Sequence, residues 1–224
     1  MFFSKITLSN DAQRSEEFWK VFRDPYTLHQ AIWGLFGDRA DRKRDFLYRL
    51  DQYGKKPLIY AVSERQLSPS QAMWNIETKP YQPKIGAGTL LSFMLRANPV
   101  RTKRDDENKQ HRHDVVMEAK TRLREEDRHQ EDRKPLANLM QEEGGNWLSI
   151  RAERHGFAIN PDTIQVDGYQ QHKFFKGKKL VKFSSLDFNG ILKVVDPASF
   201  IEALYKGLGP AKGFGCGLMI VKRV

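Results

Sequence analysis

Two side chains able to exchange protons with a ligand, Tyr26 and His29, lie three positions apart in the stretch DPYTLHQAIWGLF, residues 24–36. An imidazole, with a reference pKa of about 6.5, gives or takes a proton near neutral pH, whereas a phenol, near 10, stays protonated and donates. Asp24 is a good N-cap and Pro25 suits the first helical position, so the stretch reads as a helix. At about 100° per residue Leu28, Ala31, Ile32 and Leu35 form one stripe, while Tyr26, His29 and Trp33 form a second, about 130° away. The first stripe belongs on a core. The second admits two readings. An i, i+3 pair can present Tyr26 and His29 together to a ligand, with first-turn amides and dipole suited to an anionic phosphate. Alternatively both merely pack between domains; Trp33 reads as packing either way.

The charge of the chain favours an anionic ligand. At 224 residues it carries a net charge of +10, which points first to nucleic acid and only then to an anionic membrane surface. The charge is concentrated. From Gly168 to Leu186 there are five lysines, Lys173, Lys176, Lys178, Lys179 and Lys182, and no acidic residue. Phe174, Phe175 and Phe183 interleave with them, as expected of a basic hairpin turning at Gly177 that holds phosphates with little sequence readout. Arg39, Arg42, Lys43 and Arg44 form a second basic loop. By contrast residues 101–134 hold 11 Lys+Arg against 10 Asp+Glu and read as a charged linker or excursion. His111 and His113, at i, i+2 with no cysteine nearby, read as exposed side chains rather than metal ligands. The run GLGPAKGFGCGLMIV, residues 207–221, lacks a GK[ST] and leads into a strand rather than a helix, so it is not a nucleotide-phosphate loop. Its glycines permit tight turns and close approach of a neighbour, either RNA or the other domain. Lys212, Gly213 and Gly215 are its candidate RNA contacts.

The single Cys216 excludes a disulfide framework and a cysteine metal cluster and fits a reducing compartment, the cytoplasm. The opening MFFSKITLSN has no basic segment before an apolar run, so no signal peptide is expected, and no stretch is long and apolar enough to span a membrane.

The elements that must position these residues have a rhythm. Strands are expected at 2–9, 44–51 and 57–65, a helix at 24–36, a short Ser-capped helix at 68–76 and a long strand at 89–100. This βαββαβ order makes a ferredoxin-like domain over residues 1–100, of the RRM-like plan common among RNA-binding modules. After the linker the pattern returns over 135–224. A helix is expected at 136–157, with a candidate break at Gly144-Gly145, then two long strands, a helix at 196–208 and a final strand. The first strand of this second unit is unclear. The expected fold is α+β, two ferredoxin-like domains in tandem.

The motif G-x-G-P-x-K-x-x-G-x-G at residues 207–217 resembles the CRISPR-associated repeat-processing endoribonucleases of the CasE family, subunits of type I-E Cascade. FFSKITLS, DPYTLHQ, FMLRANP (residues 93–99) and VVDPASFIEALYKGLGPAKGFGCGL extend the resemblance through both ends and the middle of the chain, in order. The resemblance implies a metal-independent endoribonuclease without cofactor that cuts the stem-loop repeats of a CRISPR transcript. Its Tyr26 and His29 would lie near the scissile phosphate. The 2′-OH would attack, leaving a 2′,3′-cyclic phosphate and a 5′-OH. Repeat stem-loop RNA and the other Cascade subunits are the implied partners. The alternative is a non-catalytic subunit that grips an RNA hairpin within a ribonucleoprotein.

Overall fold

The computed structural model describes every residue except 11, 13–15, 37–42, 54–55, 69–72 and 127–134. Two antiparallel sheets carry the architecture. The first is built from β1 (Phe2–Leu8), β2 (Phe46–Tyr53), β3 (Lys56–Ser63) and β4 (Trp74–Pro80), in the spatial order β2-β3-β1-β4. That order is the ferredoxin-like one. Strand β1 alternates, turning Ser4, Ile6 and Leu8 inward to a core that receives Leu28, Ile32, Ile59 and Trp74. Helices α1 (Glu16–Arg23) and α2 (Pro25–Gly34) connect β1 to β2.

Two expectations are corrected here. Trp74 to Ile76 belong to β4, not to a helix over 68–76, and residues 69–72 lie outside the described ones. Trp74 pairs with Leu8 and Ile76 with Ile6, so cross-strand packing overrides the Ser-Pro start signal. The strand expected to close the first sheet, β5 (Leu90–Ala97), instead lies inside the second sheet. It supplies the first strand that the second unit lacked, and the chain passes from one sheet to the other within residues 81–89 rather than at 100.

The second sheet runs β11-β5-β10-β8, with β9 also pairing β10. Its further strands are β8 (Phe157–Ile159), β9 (Gln165–Lys176), β10 (Lys179–Val194) and β11 (Met219–Arg223). The segment expected as a linker is part of this unit. It forms a two-stranded hairpin, β6 (Val100–Arg104) with β7 (Gln110–Asp114), and then α3 (Val115–Glu126). Val115 and Val116 of α3 belong to the second core, Ala119 is buried as well, and Asp114 caps the helix by accepting from the Val116 and Met117 amides at 2.9 and 3.0 Å. The mixed charges of this segment concealed a three-residue apolar face. Helix α4 (Leu136–Arg154) runs unbroken through Gly144 and Gly145. A Cβ on Gly144 would sit 2.7 Å from Val166 Cγ1, so glycine there lets the helix settle on β9 rather than ending it. Helix α5 (Pro197–Lys206) repeats the Asp-Pro start of α2: Asp196 accepts from the Ala198 amide.

The two sheets are joined by Leu47 and Val62 of the first against Leu218, just before β11 of the second, all buried. Beside them Arg96 forks onto Asp187 through two hydrogen bonds of 2.9 and 2.7 Å and donates to the Leu50 carbonyl at 2.8 Å. Arg49, buried, reaches Asp51 at 2.8 Å and Asp187 at 3.5 Å. A fork of this kind fixes distance and angle together, and it holds the units in register.

Candidate active site

Helix α2 begins as its sequence dictates. Pro25 opens it, and Asp24 in extended conformation accepts from the Thr27 amide at 2.9 Å and the Thr27 hydroxyl at 2.8 Å. The cap corrects one expectation. The helix N-terminus already holds the carboxylate of Asp24, so a phosphate placed there would face a negative charge; the attraction must come from elsewhere.

Two cations, Arg44 and Lys176, act on His29. The ring is half-buried, packed against Trp33 at 5.6 Å, Phe46 at 6.2 Å and Phe214 at 5.9 Å between centroids. Burial, then the positive charges of Arg44 and Lys176, push its pKa below the usual value. A neutral imidazole at pH 7 is an acceptor, ready to take a proton. Its Nδ1 is buried and has no hydrogen-bond partner among the described residues. The Lys176 ammonium lies 5.9 Å from the centre of the Tyr26 ring. Tyr26, His29, Arg44 and Lys176 therefore come together from α2, the segment just before β2 and the end of β9.

The glycine-rich loop supplies the floor. A Cβ on Gly213 would lie 3.3 Å from Arg44 Nη1 and 3.7 Å from His29 Cε1. The Tyr48 hydroxyl donates to the Gly213 carbonyl at 3.0 Å, and Tyr48, 1% exposed, is fixed in the first core with its phenol pKa raised by burial. Phe214, in the 3-10 turn Lys212–Phe214, stacks on Phe183 at 5.6 Å and meets Phe174 at 4.9 Å. The loop is thus clamped between α2 and the β9–β10 hairpin. A cleft of about 310 Å³ opens beside it, lined among others by Asp24, Leu28, Arg96, His172 and Phe214.

The remaining candidates divide. All five hairpin lysines are exposed. Lys176 faces Lys179 across the hairpin, and Lys173 faces Lys182, with no ion pair to an acid among the described residues. Like charges directly opposite are unfavourable and favour an anionic ligand. Lys43 is exposed as well, while Arg39 and Arg42 lie outside the described residues. The Lys212 ammonium donates to the Lys206 carbonyl at 2.6 Å, at the C-terminal end of α5. Gly215 is also corrected. It is buried with φ +82° and its Cβ position is 3.4 Å from Tyr48, so its role is to pack the loop onto the first unit. His111 pairs with Asp105 at 2.7 Å on an exposed surface. Sequence reasoning missed Phe214 as the ring that joins His29 to the hairpin. Its only signal was a lone aromatic among glycines.

Known proteins share this arrangement of elements. The family model described as CRISPR associated protein matches residues 1–223. The chain is similar to the CRISPR system Cascade subunit CasE of Escherichia coli, 29% identical over 199 residues that cover 88% of this chain and 91% of that one. It is similar to the CRISPR-associated endoribonuclease Cse3 of Thermus thermophilus, 24% identical over 99% of both chains. Among solved structures, a Cse3 endoribonuclease bound to a 19-nucleotide RNA superposes with a TM-score of 0.72 at 22% identity, covering 99% of this chain and all of that one.

Proposed function

We propose, since the chain belongs to the family of CRISPR-associated proteins, that it is a metal-independent endoribonuclease which cuts CRISPR repeat stem-loops and stays bound as a Cascade subunit. Its Thermus thermophilus relative is named an endoribonuclease and its Escherichia coli relative a Cascade subunit. The observation that carries the reading is the placement of His29, half-buried against the glycine-rich loop, where burial first and then the charges of Arg44 and Lys176 hold its pKa below the usual value. His29 takes the proton of the 2′-OH as the 2′-oxygen attacks phosphorus. Arg44 and Lys176 stabilise the negative charge that builds on the phosphoryl oxygens. Tyr26 donates a proton to the departing 5′-oxygen, and solvent returns the proton from His29 to Tyr26. A 2′,3′-cyclic phosphate and a 5′-OH result. Lys173, Lys178, Lys179 and Lys182 hold the stem through its phosphates, because the A-form major groove is too narrow for easy base readout. The buried, free Cys216 suits a reducing cytoplasm.

Single-turnover cleavage of a cognate repeat hairpin in EDTA tests this. His29→Ala is expected to cut the rate by about 10²-fold or more with affinity within a few-fold. A 2′-deoxy substitution at the scissile nucleotide is expected to abolish cleavage and leave binding. A wild-type rate in His29→Ala removes the histidine from the mechanism. A protein that binds but never cuts is the non-catalytic RNA-gripping subunit.

A further inference from the structure

Strand β2 turns Phe46 and Tyr48, two positions apart, together into the first core. A phenylalanine at position 48 would pack there as well, so the feature that needs a reason is the hydroxyl. A buried phenol hydroxyl needs a partner, and this one takes it from the other unit: it donates to the Gly213 carbonyl at 3.0 Å, across 165 positions of sequence. The Gly213–Phe214 peptide is thereby held at both ends, since the Phe214 amide donates to the Ala211 carbonyl at 2.8 Å. Left-handed backbone brackets this turn, at Ala211 with φ +57° and at Gly215 with φ +82°. For a residue with a Cβ that conformation is unfavourable and persists only where the surroundings impose it. Phe214 is the side chain so fixed. Trp33 and Phe46 enclose the His29 ring from the first unit, and Phe214 closes it from the second. The site of a Cβ on Gly213 adjoins both His29 and Arg44. None of the steps above uses Tyr48.

We infer that Tyr48 is a positioning residue for the cleavage reaction: its hydroxyl holds the Gly213 carbonyl, and through Gly213 and Phe214 it sets the pose of the His29 ring toward the 2′-OH. Tyr48 is not a second acid. It is shut off from solvent, and burial pushes its phenol far above the usual range, so it keeps its proton and acts only as a donor to the loop. Proton transfer falls to His29, and there to Nε2, because Nδ1 is buried. That nitrogen must lie within hydrogen-bond reach of the hydroxyl it relieves, and a misplacement of about 1 Å costs on the order of 10²-fold in rate. Two rings restrict the imidazole. Phe46 stacks on it at an interplanar angle of 26°, and Phe214 meets it edge-on at 61°, so one limits tilt and the other limits sliding. Strand β2 supplies both restraints. It places Phe46 directly, and it places Phe214 through the Tyr48 hydroxyl, with the Phe46 and Tyr48 rings 6.4 Å apart.

The inference rests on the endoribonuclease reading, and the test keeps the two apart. Tyr48→Phe removes the hydroxyl and leaves the ring. Single-turnover cleavage of a cognate repeat hairpin is expected to slow by roughly tenfold, while affinity for the same hairpin with a 2′-deoxy scissile nucleotide stays within about twofold. The pH profile is the readout that a merely stabilising hydroxyl would not move. With Phe214 loosened, His29 loses part of its burial, the first cause of its depressed pKa, so the acidic limb is expected to move to higher pH. In a His29→Ala background the same substitution is expected to add less than about twofold to the loss, because residues that act through one contact are not additive. Melting temperatures give the folded fraction, and the rates are corrected for it. A wild-type rate in Tyr48→Phe, an unmoved acidic limb, or an undiminished effect in the His29→Ala background overturns the positioning role, while cleavage by the wild-type protein keeps the enzyme reading. A rate loss fully accounted for by unfolded protein overturns it in the same way. Wild-type protein that never cuts the hairpin overturns both.

Discussion

The two hairpins of the second unit are both crowded with charge, and they handle it in opposite ways. In β6–β7, Arg101, Lys103, His111 and His113 share one face by register, and acids meet that face. Lys103 pairs with Glu118 of α3, Arg101 with Glu143 of α4 at 3.9 Å, and His111 with Asp105 at 2.7 Å. In β9–β10 lysine faces lysine twice, and no acid answers either pair among the described residues. Folding gains from the first arrangement and loses a little from the second. Charge that the fold neutralises is structural. Charge that the fold sets against itself is held for a ligand, here proposed to be RNA.

The widest separation between the hairpins is expected in the salt dependence of RNA binding. Changing Lys176, Lys178 and Lys179 together to Ala is expected to weaken binding to all stem-loops alike, by roughly tenfold or more at physiological salt. The slope of log affinity against log salt is expected to flatten by about two. Changing Arg101 and Lys103 together to Ala is expected to leave affinity within about threefold and the slope nearly intact. Equal slopes in the two variants would break the comparison and put RNA on both faces.

Much of this was readable in the chain. The Asp24-Pro25 start of α2, its two stripes and the hairpin turning at Gly177 follow from local rules that tertiary structure did not override. The placement of Leu90–Ala97 was not readable. Alternation tells which residues of a strand face a core, not which of two sheets it joins. The same limit hid α3, whose Val115, Val116 and Ala119 are a small apolar minority in a charged run. At the site, Tyr26 and His29 were visible because their types are chemical. Arg44 was visible as a charge but not as a neighbour of His29. Phe214, Arg96 and Asp187 act through contacts with distant segments, and no spacing rule predicts those. The asymmetry between the hairpins was half visible: the sequence shows the balance of signs, and only the register shows which signs meet.

A smaller effect is expected in the pH profile, and it separates Lys176 from its neighbours at the hairpin tip. The His29 pKa is depressed by burial first and by Arg44 and Lys176 next. A base works only when neutral, so cleavage rises with pH through that depressed pKa and levels above it. Removing a nearby positive charge raises the pKa. Lys176→Ala is therefore expected to move the acidic limb of the single-turnover profile to higher pH. Lys178→Ala, in the turn itself and not among the charges acting on His29, is expected to leave that limb in place while still weakening binding. A shift toward lower pH in Lys176→Ala would contradict the electrostatic account of His29.

The smallest effect tests the neutralised hairpin from its acidic side. Glu143 of α4 receives Arg122 of α3 at 3.2 Å and Arg101 of β6 at 3.9 Å. Both arginines are about half exposed, at 56% and 46%, so the pairs are worth little to folding. Exposed pairs contribute on the order of 0–1 kcal/mol. Glu143→Gln is expected to lower the melting temperature by no more than a few degrees. It leaves Arg122 without the acid it pairs with and Arg101 with only the charge of Glu118 nearby, and each becomes more available to phosphate. RNA affinity is therefore expected to rise, about twofold at low salt, with the gain fading as salt screens it. Lys103 keeps its partner Glu118 in this variant, which limits the gain. No gain at any salt concentration would mean that the face carrying Arg101 stays out of reach of the RNA, whatever its charge. A large gain, of roughly tenfold or more, would mean that Glu143 holds in check a cationic surface as strong as the lysine hairpin, and the contrast between the two hairpins would then reduce to one carboxylate.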